Sequence, residues 1–256
     1  MAAFALARRL RAGETVYAAW CSLASPLIAE TVARDGFPAV VLDMQHGLWD
    51  TASIIAGIGA IDHAGASPVV RVPLNDLAFM SRALDFGAEA IIAPMVNSVG
   101  DAQRFAAAAK FPPLGERSWG PQRAMTLQGK TATVDYLREA NEGTLTMAMI
   151  ETPMALAQVE SIAETPGIDA LFIGPYDLST ALSGGKAQDV TAPEVERAID
   201  QICAAATKAG KIPGIYCNGA ARALTMAKRG FRFVTVGGDV GYLRDGIAAQ
   251  VKALKA

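Results

Sequence analysis

The chain has 256 residues, 52% apolar and 19% charged, a composition with material for a sizeable core and unlike that of a disordered chain. A net charge of −2 argues against a basic surface for nucleic acid, and no uninterrupted apolar run is long enough for a membrane-spanning helix. Three cysteines, Cys21, Cys203 and Cys217, are odd in number and lack metal-ligand spacing, which fits reduced thiols in a cytoplasmic protein.

The opening "MAAFALARRLRAGETV" places its arginines after a short apolar run, the reverse of a secretory signal. Eight apolar runs rich in Val, Ile and Ala then predict strands. The first four are "VYAAWC" (16–21), "AVVLDM" (39–44), "SPVVRV" (67–72) and "AIIAPM" (90–95). The other four are "LTMAMIE" (145–151), "ALFIGP" (170–175), "IPGIYC" (212–217) and "FVTVGG" (233–238). Most are continuous rather than alternating, as suits strands covered on both faces of a parallel sheet. Between them "PLIAETVARDG", "DLAFMSRALDFG", "EVERAIDQICAAATKAG" and "AARALTMAKRG" predict helices closed by Gly36, Gly87, Gly210 and Gly230, glycine being the usual residue just past a helix end. Strand–helix alternation through eight strands predicts a closed (β/α)8 TIM barrel, a single domain over residues 1–256. A doubly wound open sheet is the alternative, disfavoured by eight strands without a Gly-rich first turn. Two long insertions, 111–130 and 179–193, interrupt the alternation, and long ordered loops in such a fold are often functional.

In this architecture the active site gathers at the C-terminal strand ends. There the sequence offers Asp43, Gln45 and His46 after the second strand, Arg71 on the third, Asn97 after the fourth and Glu151 with Thr152 on the fifth. Tyr176 and Asp177 follow the sixth, and Gly237, Gly238 and Asp239 the eighth; Trp20 and Cys21 end the first strand, Cys217 and Asn218 the seventh. Each alone has a structural reading. Asp177 and Asp239 can cap helices, Arg71 can serve an ion pair, and His46 can be a satisfied structural histidine. Glu151 is harder to explain that way, because a carboxylate ending an apolar strand is costly unless paired or ligating. Collected at one barrel mouth, Glu151 and Asp177 suit a hard divalent cation such as Mg²⁺, with Mn²⁺ or Co²⁺ fitting as well. Arg71 suits a two-pronged grip on a substrate carboxylate. His46, oriented by Asp43 or another carboxylate, suits proton transfer near neutral pH. A metal polarising a ketone stabilises an enolate, so the set predicts proton removal or C–C cleavage next to a 2-oxo acid.

A Schiff-base aldolase needs a lysine in the barrel mouth. No predicted strand carries one: Lys211 precedes the seventh strand, and Lys130 and Lys186 fall in the long loops. A metal enolate is therefore expected rather than an imine. The glycines of "VGGDVG" suit an anion nest, but without a further glycine signature they are read as a turn into a capped helix.

The stretches "GFPAVVLDMQHG", "PVVRVP", "ALDFGAEAIIAPMV", "FPPLGERSWG", "MIET" and "IDALFIGPYDLS" resemble the HpcH/HpaI family of metal-dependent class II pyruvate aldolases over nearly the whole chain. Its members cleave 4-hydroxy-2-oxoheptanedioate or related 2-keto-3-deoxy sugar acids to pyruvate and an aldehyde. The resemblance implies that Glu151 and Asp177 bind the metal and that Arg71 grips the pyruvyl carboxylate or enolate. Backbone amides near Gly174 and Pro175 would help hold the carboxylate, and Trp20 matches a pocket residue. His46 would move protons at the substrate hydroxyl, with Asp43 orienting it. Asp85 matches a residue that family members supply to a neighbouring protomer, which implies a homo-oligomer, commonly a hexamer.

The chain departs from the family at Met149, where relatives often carry glutamine, at Ser118 and Trp119, where the loop often reads glycine-rich, and at Met44 and Gln45. Trp119 and Met149 are thereby expected to act on substrate choice or pocket polarity. Three other activities compete: a CoA-ester lyase, for which no basic, aromatic-rich segment supplies a CoA pocket; an oxaloacetate decarboxylase, which forms the same enolate; and a non-catalytic barrel that binds a small acid.

Overall fold

A computed structural model describes residues 3–255. The first half contains α1 (Ala5–Arg11), β1 (Val16–Cys21), α2 (Pro26–Arg34), β2 (Ala39–Asp43), α3 (Thr51–His63), β3 (Ser67–Arg71), α4 (Leu77–Phe86), β4 (Ala90–Ala93) and α5 (Val99–Ala109). Then come α6 (Gln122–Leu127), α7 (Thr133–Gly143), β5 (Leu145–Ile150), α8 (Pro153–Ala157), α9 (Val159–Glu164), β6 (Ala170–Ile173) and α10 (Pro175–Leu182). The chain continues through α11 (Pro193–Lys208), β7 (Ile212–Cys217), α12 (Ala220–Lys228), β8 (Phe233–Val236) and α13 (Asp239–Ala253). The eight strands pair in parallel in chain order and close, β8 against β1, so the predicted (β/α)8 barrel is the fold. No helix among the described residues is long and apolar enough to cross a membrane.

The strand sequences look continuous because both faces are buried, yet they keep a period of two. One set points into the barrel: Val16, Ala18 and Trp20 on β1, Leu145, Met147 and Met149 on β5, and Ala170 and Phe172 on β6. The alternate set, including Ala19, Val40, Leu42, Ile150, Leu171 and Ile173, packs beneath the helices. Each fully buried aliphatic side chain contributes on the order of 1.5–3 kcal/mol relative to exposure, so a one-residue slip of any strand would exchange two well-packed sets at once. Helix starts are marked by side chains that accept an otherwise orphaned amide. Ser25, Asp76, Ser98 and Thr152 each cap a helix, and Asp50 with Ser53 forms a reciprocal capping box.

α1 closes the N-terminal end of the barrel with Leu6, Ala7 and Leu10 inside the interior cluster. Buried Glu89 accepts the Leu6 amide at 2.8 Å. Lys110, fully buried, donates to the Asn141 and Thr144 carbonyls at 2.7 and 2.6 Å and to Asp169 at 2.6 Å. Asp169 immediately precedes β6, so this lysine belongs to the end opposite the strand C-termini.

Several predicted boundaries are corrected. β2 stops at Asp43, β4 at Ala93, β5 at Ile150, β6 at Ile173 and β8 at Val236. Pro175 opens α10 and Gly237 turns with φ 61°, which ends the pairing earlier than the apolar runs suggest. The 179–193 insertion is helical at its start, because α10 runs on to Leu182. Most of 122–130 in the first insertion forms α6. All three cysteines are free and buried.

Candidate active site

The inward parity of the strands runs on into polar residues at their C-terminal ends. Asp43 lies two residues beyond inward Val41, Arg71 two beyond Val69, and Glu151 two beyond Met149, while Trp20 and Tyr216 are the last inward positions of β1 and β7. These ends surround a cavity of about 420 Å³. Its lining includes Trp20, Asp43, His46 and Arg71 on one side, and Met149, Gly174, Pro175 and Asp177 on the other. Ser22, Tyr176, Tyr216, Asn218 and the Gly238–Gly241 segment complete it. Among the described residues, no lysine is in that lining.

The register of β2 on β3 sets Asp43 directly opposite Arg71. The two buried side chains form a fork, with Arg71 Nε and Nη2 donating to Asp43 Oδ1 and Oδ2 at 2.8 and 2.6 Å. The Trp20 indole donates to Asp43 Oδ2 at 3.3 Å, and the guanidinium lies 4.8 Å from the Trp20 ring centroid. This bears on two expectations. Asp43 does not orient the His46 ring: its Oδ1 accepts the backbone amides of Gln45 and His46 at 3.1 and 3.3 Å, so it fixes the loop rather than the imidazole. Arg71 has already committed one edge of its fork to Asp43, and its other edge, Nη1 with the second Nη2 proton, is what a substrate can meet. His46 itself is exposed at the rim of the cavity. Gly47 lets the loop fold down tightly, since a Cβ there would collide with the carbonyl oxygens of Asp43 and Ser22.

Glu151 is 2% exposed. Its Oε1 accepts the Met95 amide at 2.8 Å, and its Oε2 is buried with no hydrogen-bond partner. Burial pushes its pKa from 4.5 up to about 7, and the Asp177 carboxylate pushes the same way, against the Met95 amide and Arg71. Oε2 occupies the space that a Cβ on Gly174 would need, so no larger residue fits there. Asp177, exposed in the first turn of α10, faces the cavity. Among the described residues no three His, Cys, Asp or Glu side chains converge into a cage. The two carboxylates fit a hard divalent cation that keeps water or substrate oxygens as its remaining ligands, and the partnerless Oε2 is the observation that supports this fit.

Two expected residues lie elsewhere. Trp119 does not line the cavity; it packs on the rings of Phe111 and Tyr136, with centroids 5.7 and 6.2 Å away. Its loop turns back onto that aromatic cluster because buried Arg117 stacks over Phe111 at 4.4 Å. Asp85 also stands outside the cavity of its own chain and accepts from Arg117 Nη2 at 2.6 Å. Asn97 accepts from Thr152 Oγ1 at 2.5 Å and supports the loop after β4. The sequence reading missed Tyr216. Counting the period of two along "IPGIYC" from inward Ile212 would have found it. Asp239 is a buried anchor: its carboxylate accepts the amides of Ser22, Leu23 and Val240 at 3.1, 2.9 and 2.9 Å. The "VGGDVG" segment is thus a turn into α13.

Comparisons with known proteins identify the relatives of this chain. The hydroxypyruvate/pyruvate aldolase of Rhizorhabdus wittichii is 40% identical over 231 residues, 90% of each chain. The 5-keto-4-deoxy-D-glucarate aldolase of Klebsiella pneumoniae is 33% identical and covers 96% of this chain and 94% of its own. The crystal structure of an HpcH/HpaI aldolase/citrate lyase family protein from Burkholderia cenocepacia superposes with a TM-score of 0.89 at 33% identity, over 98% of this chain and 99% of that one. With residues 17–246 matching the family's sequence profile, the chain belongs to the HpcH/HpaI aldolase/citrate lyase family.

Proposed function

We propose that the protein is a divalent-metal-dependent lyase that reversibly cleaves a 4-hydroxy-2-oxo acid to pyruvate and an aldehyde. The observation that carries this reading is Glu151 Oε2, buried without a partner behind Gly174 and near enough to Asp177 to feel its charge, at the wall of a cavity whose lining, among the described residues, includes Asp177 and one arginine but no lysine. Mg²⁺, Mn²⁺ or Co²⁺ held by Glu151 and Asp177 would supply the positive charge that makes a pyruvate enolate accessible. The names of the aldolase relatives point to the same chemistry.

The chain's own residues have distinct tasks. The free edge of Arg71 binds the 2-oxo acid carboxylate, and Asp43 holds that guanidinium in place. The buried Gly174–Pro175 turn brings backbone close to the same group; Pro175 has no amide proton, so the amides beside it donate. His46 takes the proton of the 4-hydroxyl. The C3–C4 electron pair then passes to the 2-oxo acid half, the hydroxyl carbon leaves as an aldehyde, and C3 is protonated to give pyruvate. Trp20 forms part of the wall against which the substrate packs. Asp85, fixed by Arg117 outside its own cavity, serves the site of a neighbouring copy in a homo-oligomer.

A metal-resolved assay tests the reading. Metal-stripped protein would receive Mg²⁺, Mn²⁺, Co²⁺ or Zn²⁺, with pyruvate release followed across a panel of 4-hydroxy-2-oxo acids, oxaloacetate and malyl- or citramalyl-CoA. Metal-dependent cleavage of the hydroxy-oxo acids is expected. Preferential turnover of a CoA ester, or equal activity without metal, would reject the proposal.

A further inference from the structure

The chain leaves β4 irregularly beside Glu151. Leu145 donates to the Glu89 carbonyl at 2.9 Å and Ala93 pairs with Ala148, so in regular parallel pairing the Met149 carbonyl would fall to the Met95 amide. It takes the Val96 amide instead, at 3.2 Å. One extra residue has entered the β4 side of the ladder, a bulge of the kind found next to active sites, where it re-aims a group. The displaced Met95 amide donates to Glu151 Oε1 at 2.8 Å. We propose that this bulge is a positioning device: Met95 turns its amide out of the ladder to occupy Oε1, so that Glu151 offers a divalent cation one fixed oxygen, Oε2. The inference rests on the metal-dependent reading and adds the residue that orients the metal-binding carboxylate.

Backbone strain is the first argument. Met95 holds φ at 55°, in the left-handed region that is costly for any residue with a Cβ. Such a conformation persists only where the surroundings over-determine it, and here they do. Pro94, just before it, has a fixed φ and no amide to enter the ladder. Just after it, Val96 is held by Met149, and Asn97 is tied three times. Its side chain accepts from Thr152 Oγ1 at 2.5 Å, its amide donates to Asp101 Oδ2 at 3.1 Å, and its carbonyl accepts from Gln158 Nε2 at 3.3 Å. Thr152 adjoins Glu151, so the loop and the carboxylate are fixed to the same strand end.

The course of the side chain is the second argument. Met95 lines a separate cavity of about 300 Å³, with Asn75, Leu77, Met80, Arg104 and Phe105, and is not part of the lining of the mouth cavity. Its thioether therefore has no place at the substrate, and what Met95 gives the site is its backbone amide. Without that amide Oε1 would lose its donor, as Oε2 already lacks one. Nothing would then distinguish the two oxygens, and the buried carboxylate would turn toward whichever donor or cation it could reach.

The test is calorimetric titration of metal-stripped protein with Mn²⁺, in wild type, Met95→Val, Met95→Gly, Met95→Asn and Asn97→Ala, with urea midpoints recorded beside it. A β-branched residue is a poor occupant of left-handed backbone, so Met95→Val should swing the amide off Oε1 and weaken Mn²⁺ binding by about 10–100-fold. Glycine and asparagine enter that region readily, so Met95→Gly and Met95→Asn should stay within about threefold of wild type. This order is the reverse of what loss of packing would give, because glycine removes more side chain than valine. Asn97→Ala, which cuts the tie to Thr152, should weaken binding roughly fivefold, the cost of one neutral hydrogen bond. A Met95→Gly protein that binds Mn²⁺ no better than Met95→Val would overturn the positioning role. If Met95→Val does not fold, the other two variants decide: wild-type affinity in Met95→Gly with a loss in Asn97→Ala supports the role, and any other pairing overturns it. Binding abolished by Glu151→Gln but equal across the Met95 variants would overturn this inference alone. Wild type that takes up no Mn²⁺, Mg²⁺ or Co²⁺ would overturn the metal-dependent reading with it.

Discussion

Glu151 is held at one oxygen by the Met95 amide and left free at the other, an arrangement that costs folding free energy unless a cation completes it. Glu151→Gln should lower metal affinity by more than the ~10–100-fold typical of losing an outer-shell partner, measured by calorimetric titration of stripped protein. His46→Gln should slow cleavage while leaving that titration nearly unchanged, and a loss of metal in this variant would return His46 to the ligand set. Asp43→Asn removes the counter-charge of a buried arginine. A loss of about 3–5 kcal/mol in unfolding free energy is expected, together with a higher pyruvate KM. Carboxylates, an arginine and a histidine at the ends of apolar strands stand out against their neighbours, so Glu151, Asp177, Asp43, Arg71 and His46 were legible in the sequence. Their partners were not. Asp43 takes Arg71 because the β2–β3 register sets them side by side, a contact across 28 residues that no local pattern encodes. Trp119 was misplaced for the same reason: its partner Phe111 lies in the same loop, but Tyr136 lies on α7.

Helices were less legible than strands. α3, "TASIIAGIGAIDH", is apolar around much of its circumference and shows no clear stripe, whereas α2, α4, α11 and α12 end in the glycines that mark them. The short α1 gave no signal of its role, which depends on plugging the far end of the barrel. That role suggests a pH test. Burial raises the Glu89 carboxyl above its ordinary 4.5, so the folded chain prefers it protonated. Its contribution to stability is fully present below the unfolded value and is lost as pH climbs through the raised folded value. Glu89→Gln retains an acceptor for the Leu6 amide and carries no charge. Its urea midpoint should exceed that of wild type near pH 8 and converge with it near pH 4. A difference of the opposite sign would place the charged form, not the neutral one, as the stabilising partner of α1.

At the scale of the whole molecule, α13 is exposed along nearly its full length and carries Val240, Leu243, Ile247 and Val251 at helical spacing, with Leu254 at its C-cap, all exposed. A contiguous stripe of this kind suits self-association. Ile247→Asp should lower the mass measured by light scattering, and an unchanged mass would reject α13 as a self-association face. Closing an eight-stranded ring also creates a seam that an open sheet lacks, because the first and last strands must find each other across the length of the chain. Asp239 acts as the latch on that seam at the catalytic rim, one carboxylate joining the start of α13 to the backbone just after β1. Opening the ring there would separate Trp20 from Tyr216 and so dismantle one wall of the cavity while the carboxylate pair on the far side stayed intact. Local breathing of the barrel at this seam would thus loosen the Trp20–Tyr216 wall before it disturbed Glu151 and Asp177.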